Sequence, residues 1–232
     1  MIKRGVLALV LTLLLMLPTQ SESSAQGLSN ESTKSQQRIA SLDEVNKIFK
    51  QNGKALITES QIPTIEQVNV ALAKLKVSKG HAQQSIDLGN GFSVEASVSG
   101  SVKQVAVQPT AEASGAPITY SATAQGSFGV KALYVTIYTI SISDNYTYTN
   151  ATKITSYQNP PSASAEGNIG WIGKITGTPS VRNIDSTVKD AIADAEYTYI
   201  KLVGNYSGHI ELRFTATGNW YIHDTYIGDA HA

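Results

Sequence analysis

The chain of 232 residues contains no cysteine. That excludes a disulfide framework, thiol catalysis and a lipid carried on an N-terminal cysteine. Net charge is lacking too: 18 basic residues balance 18 acidic ones. The two signs are interspersed, so the electrostatic footprint expected for nucleic acid or an anionic membrane surface is missing. Beyond residue 17 no apolar run approaches the length of a membrane-spanning helix. The last residues, Gly228 to Ala232, are short and polar and do not resemble a lipid-anchor or cell-wall sorting tail.

The start of the chain is of a different kind. Lys3 and Arg4 precede a nearly unbroken apolar run from Val6 to Leu17, then Pro18 and a small polar stretch. A dozen residues at 1.5 Å each fall short of ~30 Å of hydrocarbon, and Ser23 and Ala25 satisfy the small-x-small rule for signal peptidase. Residues 1–25 therefore read as a removable secretory signal, with the mature chain starting at Gln26. The expected location is the extracellular space, or the periplasm of a Gram-negative source; the compact leader points to a bacterium. Without disulfides, the mature chain must depend on its core, and about two hundred residues suffice to bury roughly 70% of the unfolded surface.

Residues 26–38 are too polar to bury anything, and 26–40 read as a flexible lead-in. Residues 41–80 carry two amphipathic helical patterns. The first opens with a capping box, Ser41 and Glu44, places Leu42, Val45, Ile48 and Phe49 on one stripe, and ends at Asn52-Gly53. The second starts at Thr64 with Gln67 in the reciprocal position and aligns Ile65, Val68, Leu72 and Leu75. These helices either pack on a sheet or form a separate segment such as a propeptide.

From residue 87 to 232 the texture is that of an all-β domain. Phe92, Val94, Ala96 and Val98 alternate with Ser93, Glu95, Ser97 and Ser99, the period of a half-buried strand. The expected elements are a turn at Gly100-Ser101, a strand over 102–107, a Pro/Ala/Gly loop over 108–117, and strands over 118–125 and 130–142. Asp144-Asn145 reads as the two-residue turn of a long hairpin ending at Asn159-Pro160-Pro161. A glycine-rich strand around Trp171 follows, and Asp185 or Ser186 opens an expected helix over 186–195. Strands over 196–203, 209–217 and 220–227 complete the list. A two-residue turn at Gly218-Asn219 would place Arg213 opposite Asp224. The expected fold is mainly β: an antiparallel sandwich or barrel of about eight to nine strands, two short N-terminal helices and one helix in the C-terminal half.

No enzyme signature is present. Ser207 stands one place too late for a nucleophile elbow in the stretch from Gly204 to Gly208, and Ile175 occupies the magnesium-binding position of a would-be phosphate loop ending at Lys174. Glycines between Gly167 and Gly173 are better explained by crowding around Trp171. A carboxylate pair meeting only in space would leave no spacing signature. His209, Glu211 and Arg213 share one strand face, which makes His209 and Glu211 a weak metal-ligand pair; His223 falls on the opposite face in the expected register. No metal or other cofactor is expected. All eleven tyrosines lie after residue 119. Tyr134, Tyr138, Tyr146 and Tyr148, with Trp220, are candidate members of an exposed aromatic binding platform. The leading expectation is a non-enzymatic extracellular module that binds a protein, glycan or envelope component, with no nucleic-acid partner and no stable membrane anchor. The alternatives are a hydrolase without a recognisable motif and a pore former that inserts the 131–157 hairpin.

Overall fold

The computed structural model of the chain describes residues 37–105, 117–199 and 205–228. The expected signal segment, the lead-in up to residue 36, residues 106–107 and 200–203 of two expected strands, the loop over 108–116 and His231 lie outside the described residues. The end of the expected lead-in is not free of the fold: Ile39 and Ala40 are buried in the core.

Period-two alternation dominates, and among the described residues it yields ten strands in two antiparallel sheets that remain open, a β-sandwich. The first sheet is a meander of β1 (Gln83–Gly89), β2 (Phe92–Gln104), β3 (Thr119–Ala132) and β4 (Val135–Thr149). The far side of β4 is shared by β5 (Lys153–Tyr157) and β6 (Ser162–Gly167). The second sheet is a meander of β7 (Trp171–Asn183), β8 (Val188–Tyr199), β9 (Asn205–Thr215) and β10 (Trp220–Ile227). Helices α1 (Leu42–Gln51) and α2 (Ile65–Leu72) precede them. Among the described residues no helix is long and apolar enough to cross a membrane.

The inner faces pair rows of small residues with large rings. Ala122, Ala124, Ala191, Ala193 and Ala195 are buried alongside Tyr138, Tyr146, Tyr197, Phe128 and Phe214. Sheets packed ~10 Å apart need such alternation of size to fill the gap. Both helices feed the same apolar cluster through Val45, Ile48, Phe49, Val68 and Leu72. Asn69 of α2 also clamps the edge strand β10: Ile227 N donates to its Oδ1 at 2.8 Å, and its Nδ2 donates to Ile227 O at 2.7 Å. The side-chain amide stands in for a missing neighbouring strand.

Several local expectations are corrected. Asp144-Asn145 is not a turn; it lies within β4, with Asn145 opposite Thr123 and Asp144 pointing into the core. The reversals fall instead at Leu133-Tyr134, where Leu133 takes φ +55°, and around Ala151, at φ +53°. The unfavourable Leu133 conformation is held by its N–H donating to Gly91 O at 2.6 Å. The 131–157 segment is thus the end of β3, the central strand β4 and β5, not a self-contained hairpin. The expected helix over 186–195 is the start of β8; alanine favours helix, but Ala191, Ala193 and Ala195 recur every second residue and face the core. Nor is there a turn at Gly100. β2 runs straight through it, and a side chain there would press on Thr123 O and stand 2.8 Å from the Trp220 ring. Ser41 does not close a capping box, because its hydroxyl is 2.8 Å from Tyr199 OH. The box at Thr64 and Gln67 does form.

Candidate functional site

The candidate aromatic platform is almost entirely internal. Tyr138, Tyr146, Tyr148 and Trp220 are buried, and only Tyr134, at the β3–β4 reversal, is open to solvent, at 85% exposure. The rings pack on one another: Tyr138 on Tyr197 at 5.0 Å, Tyr146 on Phe214 at 4.5 Å, and Trp171 on Tyr199 and Tyr206 at 5.0 and 4.8 Å. Hydroxyls at the ends of the cluster find backbone partners, with Tyr197 donating to Thr139 O at 2.7 Å and Tyr206 to Arg38 O at 2.9 Å. Tyrosine serves this sandwich as a core residue with a polar tip. The glycines near Trp171 allow close approach, since a side chain at Gly170 would meet Tyr199 and Glu44 within 2.9 Å.

Outside the core, the two sheets present faces of different chemistry. Across the four-stranded sheet run charged rows, of which one is Arg182, Asp190, Arg213 and Tyr221 and another Thr176, Asp194, His209 and Tyr226. The expected Arg213–Asp224 pairing is corrected here. The loop from β9 to β10 is four residues long and a bulge lies between Ile222 and Asp224, so Arg213 faces Tyr221 and Asp224 faces Glu211. Arg213 instead clasps Asp190 of β8, donating from Nε to Oδ1 at 2.6 Å and from Nη2 to Oδ2 at 2.8 Å. Arg182 bridges Asp190 at 2.8 Å and Glu211 at 2.6 Å.

The same bulge turns His223 outward. A nitrogen of His223 and oxygens of Asp190 and Glu211 lie within 4.8 Å of one another, the spacing of a three-ligand metal site. His209 is not the third member. Its Nδ1 is 2.7 Å from Asp194, its Nε2 is 3.4 Å from Glu211, and its ring stacks on Tyr226 at 4.6 Å. Both carboxylates of the triad already hold guanidinium groups, so a cation there would confront Arg182 and Arg213. The arrangement behaves as a closed ionic network.

Titration follows from these contacts. Burial pulls His209 down, but Glu211 and Asp194 outweigh it and hold its pKa above the ordinary value. Burial pushes Asp190 up, yet Arg213 and Arg182 bring it below the usual carboxylate range. The His209 contact, reinforced by Arg182 against burial, does the same for Glu211. A general acid needs the opposite shift. Asp144 has it: burial raises its pKa from 3.8 to about 7, partly offset by Gln158 N donating to it. That carboxyl is sealed in the core, however, beyond reach of a substrate.

The outer face of the six-stranded sheet carries hydroxyls and amides instead. One row across it reads Gln83, Ser97, Ser127, Ser141 and Ser164; the next reads Ser99, Gln125, Ser143 and Ser162. Neighbours bond to one another: Ser97 with Ser127 at 2.9 Å, Ser141 with Ser164 at 2.8 Å, and Thr123 donating to Asn145 at 2.7 Å. The row Ser85, Glu95, Gly129, Thr139 and Glu166 has a gap at Gly129, where a notch of about 140 Å³ opens. Sequence reasoning did not single out this face, although the serine alternation from Ser93 to Ser101 was its signal. Comparison with protein families, with curated proteins and with solved structures found no match to the chain.

Proposed function

We propose that the chain is an exported, non-catalytic binding protein that engages a neutral, hydroxyl-bearing ligand, a glycan, through the outer face of the six-stranded sheet. The observation that carries this reading is the contrast between the two outer faces. On the four-stranded sheet, the carboxylates of Asp190 and Glu211 are buried and already held by Arg182 and Arg213, so they have little left to offer a ligand. The two serine rows of the hydroxyl face carry no charge and no large apolar side chain, so neither an ionic nor a greasy partner matches them; charges such as Asp87, Glu95, Lys131 and Glu166 stand on the flanking rows. Groups that both donate and accept hydrogen bonds match hydroxyl-rich polymers. The leader of residues 1–25 supports export, and Asp190 and Glu211, both held low, lack the raised pKa a general acid needs.

The test is a glycan array and a pull-down on insoluble polysaccharides with protein recovered from the medium of a secreting host. Mass spectrometry of that protein should find Gln26 at its N-terminus. Ser143→Lys with Ser162→Lys, on the hydroxyl face, should abolish retention; Thr176→Lys with Ser180→Lys, on the four-stranded sheet, should not. Retention insensitive to both pairs, or absent on every glycan, overturns the reading.

A further inference from the structure

The notch over Gly129 has a composition of its own. Glu95 and Lys131 stand on its walls with Ser97, Ser127, Thr136 and Gln83 around them. Lys131 Nζ donates to Glu95 Oε2 at 2.5 Å, and the two side chains remain 30% and 27% exposed, so both can still turn to a ligand. The floor is held open because a side chain at Gly129 would come within 3.1 Å of Tyr138 O and 3.4 Å of Thr139. At about 140 Å³ the space holds some four or five waters, at ~30 Å³ each. That is smaller than a drug-sized pocket and comparable with a single ring.

Its chemistry restricts the occupant further. Glu95 offers only acceptors, Lys131 only donors, and the hydroxyls around them offer both. An anion would meet Glu95 and find Lys131 already neutralised; a cation would meet the reverse. An apolar group would strand a carboxylate and an ammonium without water. A ring bearing vicinal hydroxyls replaces the displaced waters bond for bond, with one hydroxyl donating to Glu95 while its neighbour accepts from Lys131. We propose that this notch is a subsite for one neutral sugar ring of a longer glycan, read by Glu95 as acceptor and Lys131 as donor. The proposal rests on the assignment of this sheet face as the ligand surface.

Affinity electrophoresis of the full secreted chain in gels containing laminarin, hydroxyethyl cellulose or mannan tests it. At least one polysaccharide should retard the protein. Glu95→Gln and Lys131→Met, which keep shape but remove charge, should each weaken retardation about tenfold or more, the scale of a charged hydrogen bond. Ser127→Trp should fill the notch and remove retardation altogether, with an unchanged melting midpoint confirming that the sheet is intact. If these three variants bind as well as the parent while Ser143→Lys with Ser162→Lys does not, the subsite is wrong and the face assignment stands. If no polysaccharide retards the parent, both fail.

Discussion

Replacing Asp144 by asparagine should make the protein more stable at alkaline pH and flatten its pH profile. Asp144 is 0% exposed and lies on the inner face of β4. One oxygen accepts from Gln158 N at 3.0 Å, and the other has no partner among the described residues. Its pKa rises from 3.8 to about 7 in the folded chain. Because the folded value lies above the unfolded one, the native state holds this proton more tightly. The associated stability is complete below pH ~4 and declines as pH rises to about 7, then stays flat. At 1.36 kcal/mol per pKa unit the loss between pH 5 and pH 8 is about 2.5 kcal/mol, and the full range is about 4. His209, also raised, acts in the same direction, losing its contribution as pH climbs above its unfolded value. Asp190 and Glu211, held low, keep theirs throughout this window and lose it only in stronger acid. The amide introduced by Asp144→Asn retains an acceptor for Gln158 N but buries a new donor, at about 1–3 kcal/mol. The net gain at pH 8 should therefore be about 1–3 kcal/mol, or roughly 2–4 °C per kcal/mol in Tm. Urea unfolding at pH 5, 6, 7 and 8, followed through the buried Trp171 and Trp220, measures it. Parallel pH profiles for the parent and Asp144→Asn would refute the reasoning.

Other substitutions test the supports of the sandwich. Gly100→Ala should destabilise the chain by about 1–3 kcal/mol in urea unfolding, because the added methyl is wedged between Thr123 O and Trp220. Asn69→Ala removes both bonds to buried Ile227 and should cost about 2–3 kcal/mol, with hydrogen exchange at the β10 edge accelerating before any other strand. Arg213→Met leaves Asp190 buried with Arg182 as its remaining guanidinium. A loss of about 3–5 kcal/mol is expected, largely insensitive to added salt; a loss below about 1 kcal/mol would mean the network is solvent-screened.

The fold class was legible because alternation survives in almost every strand, and the errors share one cause. Local chemistry points one way where burial decides another. Asp144-Asn145 has ideal turn residues, but flanking Ile142 and Tyr146 share the inward face of Asp144, and the sheet's continuity outweighs turn preference. The stretch from Val188 to Ala195 has helix formers and a plausible cap, yet its alanines repeat every two residues. Ser41 is a good capping residue diverted to Tyr199, a partner 158 positions away that no local pattern reveals. A bulge changes parity without leaving a composition signal, which is why His223 was assigned to the wrong face. The candidate site was less legible still. Tyrosines stood out as binding residues because the type favours interfaces, whereas a sandwich with alanine rows needs large rings inside.

In the proposed reading the serines, and not the buried aromatic residues, meet the ligand. Each outer face must be hydrophilic, and the four-stranded sheet achieves this with ions. Its Asp190 and Glu211 are buried and engaged by Arg182 and Arg213, whereas Glu95 and Lys131 of the other sheet keep part of their side chains open to solvent. The six-stranded sheet achieves it with hydroxyls that bond sideways, as Ser97 to Ser127 and Ser141 to Ser164 do. Such pairs retain donor and acceptor capacity after their mutual bond, since a hydroxyl has one proton and two lone pairs. Covering them with another hydroxyl-bearing surface exchanges water bonds for equivalent ones, at a smaller desolvation penalty than an ion incurs. Affinity built this way is weak per contact and grows with the number of rows engaged. That relation is itself measurable: retardation should rise with polysaccharide chain length until the ligand spans the serine-bearing strands β1 to β4 and β6, and a length-independent response would exclude the sheet face as the binding surface.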